Sequence, residues 1–290
     1  MAFADGGMLL GRFSSIGMPE VLGAGQNDPD AEYRNPPISS TIIDGVAYFV
    51  ADDGVHGSEI WRTDGTVAGT QLLADLAPGA ASSSIGGLAT AGGRLYFTAW
   101  DPTHGFEVWT SDGTAVGTAR LTDITPNTES WKPILLGGLN GKMMFRSYLG
   151  LWRTDGTADG TVKIYGEIAG GIGGEGPTHL VIGGTMYFNG WDHFDSSTNY
   201  LDATDGTPEG TKKIDTASYA PTGMTDFGGR LLFTSMTASD PYLLSSGGPV
   251  RLADLCSQGF SATPGPYAVA GAVAYFAADD CITGRELWRT

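Results

Sequence analysis

Glu59-Ile60-Trp61-Arg62-Thr63-Asp64-Gly65-Thr66-Val67-Ala68-Gly69-Thr70 is the stretch from which the rest of this chain can be read. It returns as Glu107-Val108-Trp109-Thr110-Ser111-Asp112-Gly113-Thr114-Ala115-Val116-Gly117-Thr118. A third copy runs from Leu151-Trp152-Arg153-Thr154-Asp155-Gly156-Thr157 to Gly160-Thr161. A worn copy keeps Asp205-Gly206-Thr207 and Gly210-Thr211, and the sequence ends within another, Glu286-Leu287-Trp288-Arg289-Thr290. A fixed period of self-similarity decides the architecture before any local propensity does.

A second marker precedes each copy: a glycine and then a β-rich pair closing on phenylalanine, at Phe49, Phe97, Phe145, Phe188, Phe233 and Phe276. The spacings are 48, 48, 43, 45 and 43 residues. Periods of this length with several strands per unit predict an all-β fold, a β-propeller of four-stranded antiparallel blades. In the second unit the strands read as Ile85 to Ala91, Leu95 to Trp100, Phe106 to Ser111 and Ala119 to Ile124. Helical periodicity is absent. Asp-Gly-Thr belongs in the turn between the third and fourth strands. There Asp accepts backbone N–H bonds, Gly takes φ > 0 and Thr bonds back through its hydroxyl. The repeat residues Trp61, Asp64, Trp109, Asp112, Trp152, Asp155, Asp205 and Trp288 are therefore read as structural, with the indoles filling the space between neighbouring blades.

The near-literal motif resembles that of the bacterial extracellular proteins built of Glu-Leu-Trp-x-x-Asp-Gly-Thr-x-x-Gly-Thr repeats. The resemblance covers residues 38 to 290. It departs in the fourth unit, where Asp202 replaces Trp, and in the fifth, reduced to Ser245-Ser246-Gly247-Gly248. It implies a β-propeller and an extracellular or cell-surface location, and no particular activity.

The last unit offers three strands. A propeller removes its sheet edges by closure, so residues 1–37 are expected to supply the missing strand, from Met8-Leu9-Leu10 or Glu20-Val21-Leu22, plus a linker. That gives six blades in one domain, the repeat region spanning 38–290. The alternative makes residues 1–37 a worn seventh blade, because Gly6-Gly7-Met8-Leu9-Leu10 resembles Gly228-Gly229-Arg230-Leu231-Leu232.

The 290 residues carry 16 basic and 32 acidic side chains, a net charge of −16. That balance repels nucleic acid and anionic membranes and names no partner. No apolar run is long enough for membrane insertion, and the first residues do not form an intact signal peptide. Cys256 and Cys281 lack a CxxC or histidine context. The repeat register sets both in loops on one face of neighbouring units. A disulfide there would be worth about 3 kcal/mol in the chain-entropy model.

Loops between the second and third strands vary while the framework repeats, and varied loops on a rigid scaffold are where function collects. They hold Asp53 and His56, then Trp100, Asp101 and His104, then Trp191, Asp192 and His193. Aromatic rings beside carboxylates are the makings of a sugar site, the ring stacking on the apolar sugar face. These eight residues are the candidate ligand contacts, with the Asp–His pairs alternatively tying each loop shut. No catalytic set and no required cofactor is identified. Calcium is conceivable from Asp52, Asp53, Asp279 and Asp280, without any recognised calcium loop. The expected function is a secreted or surface module that recognises a glycan or surface protein in a lectin-like or adhesive role. The alternatives are a polysaccharide-acting hydrolase or lyase in the same funnel, and a scaffold without small ligand. No nucleophile elbow, phosphate loop or dinucleotide fingerprint is present.

Overall fold

Twenty-three strands and no helix make up the described part of the computed structural model, which comprises residues 40–124, 132–147, 149–166, 179–191, 199–214, 221–235, 237–256 and 262–290. The first sheet holds β1 (Thr41–Ile43), β2 (Val46–Asp52), β3 (Ser58–Thr63) and β4 (Gln71–Ala74). The second holds β5 (Gly86–Ala91), β6 (Arg94–Asp101), β7 (Gly105–Ser111) and β8 (Ala119–Arg120). The third holds β9 (Ile134–Leu139), β10 (Lys142–Ser147), β11 (Gly150–Thr154) and β12 (Val162–Gly166). The fourth holds β13 (His179–Ile182), β14 (Thr185–Trp191), β15 (Asn199–Thr204) and β16 (Lys212–Lys213). The fifth holds β17 (Pro221–Asp226), β18 (Leu231–Ser235), β19 (Asp240–Ser245) and β20 (Gly248–Arg251). The sixth holds β21 (Ala268–Ala270), β22 (Val273–Asp279) and β23 (Arg285–Arg289). Every sheet is an antiparallel meander in chain order, the blade of a β-propeller. The expected N-terminal closing strand, or worn seventh blade, lies outside the described residues.

The chain divides into two compact units, Met1–Leu135 and Leu136–Thr290. In the first unit one core takes Tyr48, Ile60 and Leu73 from the first sheet and Leu95, Phe97 and Ala99 from the second, with Trp109 packed on it. In the second unit Leu201 and Ile182 meet Leu231 and Phe233, and Leu232 and Leu243 meet Ala274, Phe276 and Trp288. Each core therefore joins two successive sheets. Trp109 and Trp288 pack where the repeat places an inter-blade indole. Trp152 stacks on Phe145 at 5.9 Å, and Trp61 donates its indole N–H to the Ala51 carbonyl at 3.0 Å.

The turn network is contained in eight residues, Thr63 to Thr70, with the Thr63 hydroxyl accepting from Gly65 N–H and meeting the Thr70 hydroxyl. Asp64 Oδ1 accepts from the N–H and the hydroxyl of Thr66, at 2.9 and 2.7 Å. The Thr66 hydroxyl accepts from the Gly69 N–H, and the Thr70 hydroxyl donates to the Thr66 carbonyl. The two glycines are needed for different reasons. Gly65 has φ = 89°, whereas a side chain on Gly69 would collide with the Asp64 carboxylate. The same bonds recur around Asp112, Asp155 and Asp205, so the copy that reads as worn is intact in its turn.

The motif glutamate has a role that the repeat alone does not disclose. Glu59, fully buried, accepts from Leu76 N–H and from the N–H and hydroxyl of Ser83. Glu107 accepts from the Thr122 hydroxyl and Ile124 N–H. This shortens the fourth strand of the second sheet. The reading to Ile124 is replaced by two ladder residues and a carboxylate that collects the donors beyond them. Glu286 is exposed, in a sheet with three strands among the described residues.

Candidate functional site

The loop between β2 and β3 is organised by its own aspartates. Asp52 Oδ1 accepts from Gly54 N–H at 2.7 Å. Asp53 Oδ1 accepts from the N–H groups of Val55 and His56, both at 2.9 Å, and its Oδ2 meets His56 Nδ1 at 2.7 Å. The His56 backbone N–H, its imidazole and the Val55 N–H hold the Asp53 carboxyl at about 2. The same bond raises the imidazole of His56 above its ordinary value. The loop between β6 and β7 repeats the device. Asp101 accepts from Thr103 and His104 N–H at 2.8 and 2.9 Å and contacts His104 Nδ1 at 2.9 Å. Burial would raise Asp101, but these donors outweigh it and hold it low.

His56 and His104 thus have Nδ1 engaged and side chains 37% and 33% exposed. Trp100, half-buried, is the penultimate residue of β6, next to Asp101 of the second pair and opposite Phe106 in register. The strand end and its loop carry a half-buried aromatic ring and an imidazole edge, the imidazole held by the buried Asp101 carboxylate. A loop pinned in this way has little ordering entropy left to lose on binding a ligand. Trp191 ends β14 in register with Asn199. Asp192 and His193 lie outside the described residues.

Cys256 and Cys281 form a disulfide with Cα atoms 5.5 Å apart, joining the segment after β20 to the loop between β22 and β23. In that second loop Asp279 accepts from Cys281 N–H, and Asp280 from the N–H groups of Ile282 and Thr283. The four aspartates read as possible calcium ligands therefore all cap their own loops. Among the described residues no group of three or more His, Cys, Asp or Glu is placed to hold a metal ion.

Two polar sites escaped the sequence reading. Asp202, in the fourth unit's tryptophan position opposite Phe188, is 3% exposed and its Oδ1 has no partner. Burial pushes this carboxyl up to about 7, with Lys213 acting in the opposite sense. The other is Arg146, 9% exposed in β10. The signal available for both was departure from the repeat at a framework position. In the fifth unit the tryptophan position is filled by Tyr242, stacked on Phe233 at 5.7 Å. Its partner residue two positions earlier, Asp240, does the work of the glutamate: it accepts from Leu255 N–H and pairs with Arg251.

No protein-family model and no curated protein matches the chain. Among solved structures it is similar to virginiamycin B lyase from Staphylococcus aureus, at 16% identity over 86% of this chain and 82% of that one, with a TM-score of 0.42. A streptogramin B lyase gives 17% identity over 87% and 81%, with a TM-score of 0.41. A chain of a nidogen/laminin complex gives 12% over 72% and 74%, with a TM-score of 0.38. At TM-scores below 0.5 none of these likenesses assigns an activity. Among the described residues no helix is long and apolar enough to cross a membrane.

Proposed function

We propose that this chain is an extracellular or cell-surface binding module of the Glu-Leu-Trp-x-x-Asp-Gly-Thr repeat kind, recognising a glycan through the loops between second and third strands. The observation that carries this reading is the end of β6, where half-buried Trp100 adjoins the Asp101–His104 pair, itself held by backbone N–H groups of the following loop. An aromatic face next to an imidazole held by a buried carboxylate suits a sugar ring, whose apolar face stacks while a hydroxyl meets the imidazole edge. The disulfide is compatible with an oxidising compartment.

The test is a glycan array with the purified protein, run in calcium and again in EDTA. Saturable binding that falls at least tenfold in Trp100→Ala supports the reading, and loss in EDTA alone adds a metal to the site. A blank array in both arms sinks it in favour of a surface-protein partner.

A further inference from the structure

Arg146 and His179 occupy a position whose counterpart in the next pair of sheets is a satisfied hydrogen bond. Thr234 follows Phe233 as Arg146 follows Phe145. Its hydroxyl is 2.8 Å from the Tyr267 hydroxyl, 33 residues on. His179 lies the same distance in sequence beyond Arg146 and pairs in register with Phe188. Tyr267, one residue before β21, packs edge-on against Phe276. In both places a glycine lies beneath the ring: Gly223 under Tyr267, and Gly137 under His179, where an added Cβ would come 3.1 Å from Nε2. The architecture is shared, and the chemistry is reversed. A neutral donor–acceptor pair has become a guanidinium and an imidazole.

Among the described residues no hydrogen bond or ion pair ties down either group. Arg146 Nε is buried without a hydrogen-bond partner among them, and burial lowers the pKa of the guanidinium. His179 is lowered by its burial and then by the charge of Arg146. The other arginines with a buried, unpartnered Nε are different. Arg62 and Arg153 each donate Nη1 to the glycine carbonyl of the next unit's Asp-Gly-Thr turn, at 2.8 and 2.7 Å. A guanidinium stays protonated in a protein, so burial without an anion is costly, and that cost is removed by a ligand rather than by deprotonation. The planar fork of Arg matches the paired oxygens of a carboxylate or phosphate.

We propose that Arg146 and His179 form an oxyanion-binding site between the third and fourth sheets, with Gly137 leaving room for the imidazole. The ligand class is a carboxylate or phosphate-type group, either a free small anion or the acidic group of a larger molecule. The site does not depend on the loop-binding reading, since it uses none of those residues.

The experiment is thermal unfolding of the whole chain at constant ionic strength, titrating phosphate, acetate and glucuronate against a chloride control. The expected result is a saturable rise in melting temperature of about 5 °C at a hundredfold excess over Kd. Chloride should leave it unchanged. Arg146→Met should abolish the response while melting no lower than the wild type in chloride, because it removes an unpaired buried charge. Should that variant fail to fold, Arg146→Lys keeps the charge, loses the fork and should weaken the response at least tenfold. A response to phosphate or acetate identifies a free small anion, and one to glucuronate alone identifies an acid carried on a sugar. Equal melting in all four salts, or an undiminished response in the folded arginine variant, overturns the proposal.

Discussion

The second and fourth sheets carry the same turn and different anchors. Around Asp112 and Asp205 the turn bonds agree to about 0.1 Å. Opposite the strand phenylalanine, however, the second sheet has Trp109 and the fourth has Asp202. One position contributes a large apolar surface to the core, and the other buries a carboxylate with an unpartnered oxygen. The turn is a local device that persists when the side chain three residues earlier is exchanged. The anchor is a tertiary device, and its loss leaves strand pairing in place but changes the sign of its contribution.

The largest expected effect separates the anchors. Trp109→Ala should cost about 3 kcal/mol in urea unfolding, the lower end for a large-to-small aromatic truncation because the indole is only half-buried. A loss below about 1 kcal/mol would mean that the indole does not hold the two sheets together.

Asp202→Asn should act in the opposite direction. The folded carboxyl titrates near 7 against 3.8 unfolded, so folding takes up a proton between those values. Stability therefore falls as pH rises from about 4 to about 7 and is level above. The variant should gain on the order of 3 kcal/mol at pH 8 and little at pH 4. Unfolding curves at the two pH values check this, and a gain independent of pH would show that the carboxyl is not what costs.

The turns should respond alike. Gly117→Ala and Gly210→Ala each drive a Cβ into the carboxylate of Asp112 or Asp205, at 2.0 and 2.1 Å from its nearest atom. Each should lose roughly 2 kcal/mol. Values differing by more than about 1 kcal/mol would break the claim that the turn is independent of the anchor. The smallest effect is at the turn aspartates. Asp112→Ala and Asp205→Ala should each cost about 1 kcal/mol, read from the same melts.

What could be read before any coordinates were known follows this division. Six units, their strand order, the Asp-Gly-Thr turn and the disulfide were all legible, because the repeat gives phase and each turn bond spans at most a few residues. The Asp–His ties at Asp53–His56 and Asp101–His104 were legible as one of two options for the same reason. Tyr242 as the fifth anchor was not, since the motif around it is gone and only its register with Phe233 reveals it. Nor was the glutamate clamp, whose donors at Leu76, Ser83 and Ile124 lie 17 to 24 residues away.

The sequence by itself determined the blade: its period, its four-strand meander and its turn, all consequences of hydrogen bonds and side-chain alternation between near neighbours. Only the tertiary structure decided what each blade presents to the next. The burial of Asp202, the stand-in of Tyr242 and the burial of Arg146 depend on strand register and on how one sheet stacks on another. Those distances are closed by packing, and a linear pattern does not contain them.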